Sequence, residues 1–168
     1  MSTRSTTHFR EGEKLVAIVY RHLDGYPSRT GKDLLKFFKE VRDNVTDTRF
    51  DDASYLAAKW CVYLGRKFAT NHTSPTHYLD FVSVGILQAD PPNIEYRYIV
   101  DCRQRDSEGY PVVTCEVGIE SSRPLRLAIA EDEALVARLM RKEFTRWLRQ
   151  APSRTEEEKA WLKARRGG

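Results

Sequence analysis

Leu15-Val16-Ala17-Ile18-Val19 runs directly into Tyr20-Arg21-His22-Leu23-Asp24-Gly25-Tyr26-Pro27, and a helix-forming segment follows from Thr30. A continuous apolar run of this length reads as a strand covered on both faces, or nearly so, and makes 14–21 the expected centre of a sheet. Asp24-Gly25 is a strong turn signal, and Tyr26, placed before a proline, is pushed toward extended backbone. The chain therefore passes from strand to helix through a tight junction, where proteins often place binding and catalytic groups. With Tyr20 in the strand, Tyr20 and His22 point to one side of the sheet and Arg21 to the other.

Working outward, residues 3–9 pair with 14–21 as a hairpin around Arg10-Glu11-Gly12-Glu13. Thr30 with Asp33 reads as a capping box for a helix to about Asp43, with Leu34, Leu35, Phe37, Phe38 and Val41 as its apolar stripe. Asp51 or Asp52 caps a second helix to about Thr70, in which Leu56, Trp60, Tyr63, Leu64 and Phe68 share a core-facing side. Residues 81–87 read as a strand, and 94–103 with 112–119 as a second hairpin. With Glu108-Gly109 as a two-residue turn, Cys102 lies opposite Cys115, Val100 opposite Val117 and Tyr98 opposite Ile119, all on the core side. The other face then sets Arg97 against Glu120 and Asp101 against Glu116. Residues 123–128 add a short strand. Glu131-Asp132-Glu133 open a long helix to about Gln150, with Val136, Met140, Phe144 and Trp147 along one face, and a short basic helix follows Ala151-Pro152. The expected fold is α+β: a single domain over 1–168, with an antiparallel or mixed sheet of five to six strands packed against three main helices plus a short C-terminal helix in 151–168.

Composition narrows the function classes. A chain of 168 residues can bury its own core, and 40% apolar with 31% charged residues excludes a disordered chain. No apolar run is long enough to cross a bilayer and no hydrophobic leader opens the sequence, so cytoplasmic residence is expected. Three cysteines make no disulfide framework and no CxxC zinc pair; in a reducing compartment they are expected to stay free. The net charge of +4 is uneven: Arg126 and ten basic residues between Arg138 and Arg166 accompany acidic groups at 131–133 and 156–158. Acids at helix starts and bases at helix ends complement the helix dipole. The sharper alternative is a nucleic-acid surface on the basic C-terminal helices.

The junction carries the candidate site. Amides at 28–32, the helix dipole, Arg29 and Lys32 make an anion pocket, and the ligand-binding candidates are Tyr20, Arg21, His22, Asp24, Tyr26, Ser28, Arg29 and Lys32. His22 and Asp24 can also serve as a base and its orienting carboxylate. The plainer alternative is that both bond to nearby main chain while the tyrosines pack. His72, His77 and Asp80, with His22 or Asp24, would make a mixed nitrogen and oxygen metal site, but the spacing matches no familiar ligand pattern and no metal is expected. There is no GxSxG nucleophile, P-loop or GxGxxG, and no cofactor is expected. The leading expectation is a non-enzymatic module binding a small anionic ligand or a protein partner at the 20–32 corner. The alternatives are a hydrolase or phosphoryl-transfer enzyme using His22 and Asp24, and a nucleic-acid-binding protein.

The opening Met1-Ser2-Thr3-Arg4 and the motif Tyr20-x-His22-x-Asp24-Gly25-Tyr26-Pro27 resemble those of a family of small bacterial and bacteriophage proteins with no assigned activity. Leu79-Asp80-Phe81-Val82-Ser83-Val84-Gly85 and Glu95-Tyr96-Arg97-Tyr98 are similar to its longer actinobacterial versions. The resemblance implies that the octapeptide is the site to inspect. It supplies no mechanism; its phage association makes host–phage conflict or nucleic-acid metabolism an expectation by analogy alone.

Overall fold

β1 (Ser5–Glu11) and β2 (Lys14–Arg21) form the expected antiparallel hairpin, turned at Gly12 with φ of 62° and bulged between Phe9 and Arg10. The computed structural model describes residues 3–70, 84–118 and 121–150. After β2 come a single π-turn (Pro27–Gly31), α1 (Lys32–Asn44), α2 (Ala53–Thr70), β3 (Val84–Leu87), β4 (Tyr96–Arg105), β5 (Pro111–Val117), β6 (Ser121–Pro124) and α3 (Leu125–Gln150). The strands make one six-stranded sheet in the order β3-β2-β1-β4-β5-β6, with β1 and β4 parallel and every other pairing antiparallel. This is an α+β fold. The chain divides into two compact units, Met1–Asp132 and Glu133–Gly168. Among the described residues no helix is long and apolar enough to cross a membrane.

The sheet centre is not β2, as the apolar run suggests, but β1 and β4. Leu15 is exposed and Val16 and Ala17 are half-buried, whereas Ser5, Thr6, Thr7 and His8 of β1 are all buried. Hydropathy alone misplaced the centre because β1 buries polar side chains. Phe9, Val19, Tyr98, Val100, Cys102 and Cys115 form the inner face of the sheet. Leu34, Phe37 and Phe38 of α1, Leu56, Trp60 and Leu64 of α2, and Leu125, Ala128 and Ile129 of α3 pack into the same core. Asp52 starts α2 as expected, its carboxylate accepting from Ser54 Oγ at 2.8 Å and the Tyr55 amide at 2.9 Å.

The second hairpin forms with a different register. Tyr98, not Cys102, lies opposite Cys115; Val100 faces Val113, Arg97 faces Glu116, and Asp101 faces Val112. The two-residue turn is replaced by a longer loop. The Asp106 carboxylate accepts the amides of Glu108 (2.9 Å) and Tyr110 (3.0 Å), Gly109 takes φ of 82°, and β4 is irregular between Asp101 and Arg105. The cross-strand thiol pair and the repulsive Asp101–Glu116 pair therefore do not occur. The partner of Cys115 has moved by four positions, an even slip, so every side chain keeps its expected face.

α3 begins at Leu125, so the strand expected over 123–128 is the shorter β6 ending at Pro124. A proline cannot donate a ladder hydrogen bond but tolerates a helix start, and Leu125, Ala128 and Ile129 then recur at helical spacing against the core. Val136 and Met140 are exposed; the side chains of Phe144 and Trp147 lie outside the described residues. So do the expected helix within 151–168, the loop carrying His72, His77 and Asp80, and residues 81–83 of the expected strand.

Candidate functional site

The octapeptide divides at the strand end as its alternation dictates. Arg21 turns toward the helices and is 3% exposed. Its Nε donates to the Leu23 carbonyl at 2.7 Å and its guanidinium meets Asp33 Oδ2 at 2.7 Å, while the Phe68 ring lies 5.6 Å away. Lys67 Nζ reaches the same carboxylate at 2.5 Å. Arg21 is thus one corner of an ion triad in which Arg21 and Asp33 are buried and Lys67 is 33% exposed, and Asp33 is its anion, not half of a capping box. A buried carboxylate offsets the cost of its desolvation only while a cation stays beside it.

The turn itself is locked to the protein's main chain. Asp24 takes φ of 57°, a left-handed conformation that aspartate tolerates better than most residues. Its carbonyl accepts from Thr30 Oγ1 at 2.8 Å, so Thr30 ties the turn together instead of capping the helix. The Gly25 amide donates to the Thr3 carbonyl at 2.9 Å, and the Gly25 carbonyl accepts from Tyr98 Oη at 2.7 Å. Burial holds the Tyr98 phenol well above its ordinary range, which keeps it a donor. A Cβ at residue 25 would stand 2.8 Å from both the Thr3 oxygen and the Arg4 carbonyl carbon, so only glycine fits. Four of the amides assigned to an anion pocket, those of Ser28, Arg29, Thr30 and Lys32, are also engaged. The Ser28 amide donates to Asp132 Oδ2 at 2.9 Å, and those of Arg29 and Thr30 donate to the Tyr26 carbonyl at 3.0 Å.

What faces outward is a set of side chains. Leu23 is exposed, the Asp24 side chain is 53% exposed, and Arg29 is exposed. The Tyr26 hydroxyl donates to Asp24 Oδ1 at 3.4 Å. Hydrogen bonding and electrostatic attraction to Tyr26, then the Asp24 carboxylate, hold the Arg29 guanidinium above its usual range. Lys32 is half-buried at the start of α1.

On the opposite face of the sheet from the helices, Tyr20 Oη lies 2.7 Å from His22 Nδ1, with the two rings edge to face. His22 is therefore oriented by a phenol, while the Asp24 carboxylate turns toward Tyr26 and Arg21. The same sheet face carries a second constellation that sequence reading missed. His8, flanked by Ile18 and Ile99, is 5% exposed, and its Nε2 lies 2.7 Å from Asp90 Oδ1. Arg97 donates to Asp90 (2.7 Å) and to Glu116 (2.6 Å). Burial lowers the His8 pKa below 6.5, against the opposing pull of Asp90. Burial pushes the Asp90 carboxyl up, but hydrogen bonds including those from His8 and Arg97 outweigh it and bring the group below its usual value. No local pattern signals this network: His8 and Asp90 are 82 residues apart. Only the Arg97–glutamate attraction was visible, with the wrong glutamate, Glu120, as partner.

Among the described residues no group of three His, Cys, Asp or Glu side chains can hold a metal ion. No family model, curated protein or solved structure matches the chain.

Proposed function

We propose that this chain is a non-enzymatic binding module that presents the 20–32 corner to a protein partner. The carrying observation is how the corner's hydrogen bonds divide. The amides of Gly25, Ser28, Arg29 and Thr30 and the carbonyls of Leu23, Asp24 and Gly25 all bond within the chain. Leu23, Asp24, Tyr26 and Arg29 are left as the recognition groups. An apolar side chain beside an aromatic ring and charges of both signs is the composition of a small contact surface, with tyrosine and arginine its usual anchors. Rigid display lowers the ordering cost of association. Left-handed backbone at a non-glycine residue, Asp24, is strain that a functional turn retains.

A photo-crosslinking residue at Leu23, in cells that make the protein naturally, is expected to give one discrete adduct. Arg29→Glu should abolish it, and the same residue at exposed Glu13 should not produce it. Identical adducts from both positions would overturn the reading. Titration with phosphate and ATP is the second arm. Binding lost on Arg29→Glu, without any adduct, would replace the protein partner with a small anion.

A further inference from the structure

We infer that the groove between α1 and α2 is a second binding site, independent of the corner, and that it takes a small amphipathic carboxylate: an apolar, preferably aromatic body with one anionic head. The cavity measures about 330 Å³, within the range of small-molecule sites. Phe37 and Val41 line it from α1, and Tyr55, Val62 and Tyr63 from α2. Val62 is 73% exposed, so an apolar wall stands open to water where the two helices leave a furrow.

One group in that wall decides the chemistry. Lys59 Nζ is shielded from solvent yet makes no hydrogen bond among the described residues; it sits over the Tyr55 ring, 4.1 Å from the centroid. The one carboxylate lining the cavity is Glu40, and Arg66 claims both its oxygens at 2.6 and 2.7 Å. A shielded ammonium with a ring beneath it and no anion beside it among the described residues lacks its counterpart. With Lys59 swung off the Tyr55 ring, a carboxylate in the groove pairs with the ammonium while its apolar body lies against Phe37, Val41 and Tyr63 and covers the apolar wall.

The test is calorimetric titration of the full chain with 2-naphthoate and its neutral counterpart 2-naphthylmethanol. The naphthoate is expected to bind about tenfold more tightly, the scale of a hydrogen bond to a charged group. Lys59→Met, which keeps an apolar stem, should bind acid and alcohol alike. Ala58→Trp, which fills the groove from its exposed rim, should bind neither. Equal affinities on the unaltered chain, retention of the preference in Lys59→Met, or no binding of either compound would overturn the inference. So would a dimer, seen by sedimentation, that Ala58→Trp dissociates and 2-naphthoate does not, since a second copy would then occupy the groove.

Discussion

At the scale of single residues, two positions fix the corner. Gly25 threads against the backbone of Thr3 and Arg4, and an added Cβ would meet atoms that cannot rotate away. Gly25→Ala is expected to cost about 1–3 kcal/mol in a urea denaturation experiment, the range for forced overpacking; a change within error would contradict the close approach. Asp33 pairs with both Arg21 and Lys67 from a buried position. Asp33→Ala leaves the buried Arg21 guanidinium only the Leu23 carbonyl and the half-exposed Asp24 carboxylate and should cost about 3–5 kcal/mol, while a loss below about 1 kcal/mol would mean the triad is dispensable. His8 contributes to the pH response. Its imidazole ionises below 6.5 in the native state because burial disfavours the charged form, so the unfolded chain takes up the proton first. Stability therefore falls as pH drops below about 6.5 and stops falling once the native imidazole is also charged. His8→Gln should remove that part of the slope between about pH 7.5 and 5.5, leaving only what other histidines contribute; an unaltered slope would contradict the assignment.

At the scale of elements, what the sequence disclosed was periodicity, and what it withheld was long-range pairing. The alternation of β4 and β5 placed Tyr98, Val100, Cys102, Val113 and Cys115 on the core side correctly, since a two-fold period survives an even slip. The slip was hidden because it depends on the Asp106 side chain taking over two loop amides. The split of Tyr20 and His22 from Arg21 followed from alternation as well. The identity of Arg21's partner did not, because Asp33 and Lys67 are brought in by two different helices. β1 was not recognisable as central, since its burial rests on polar residues including His8, whose partner arrives from the β3–β4 connection. The corrected register has a chemical consequence. Cys102 and Cys115 are both fully buried, and burial pushes both thiols up to about 12. Neither should react with iodoacetamide at about pH 8 until the protein is unfolded, because only the thiolate is nucleophilic. Labelling of either in the native protein, read by mass spectrometry, would contradict their burial.

At the scale of the whole first unit, the corner is where remote parts of the chain are tied together. Tyr98 reaches Gly25 across 73 residues, and Asp132 reaches Ser28 across 104. The 3–5 segment, β4 and the start of α3 thus converge on one turn, which the sequence could mark as special without revealing that it is filled from within. The central claim is that this turn is a satisfied frame displaying side chains, not an open ring of amides waiting for an anion. Native-state hydrogen exchange of the Gly25 and Ser28 amides tests it most directly. We predict protection comparable to the amides of the central β1–β4 pair, unchanged by millimolar phosphate. Exchange at the rate of exposed loop amides, slowed when phosphate is added, would contradict the account and restore the anion pocket.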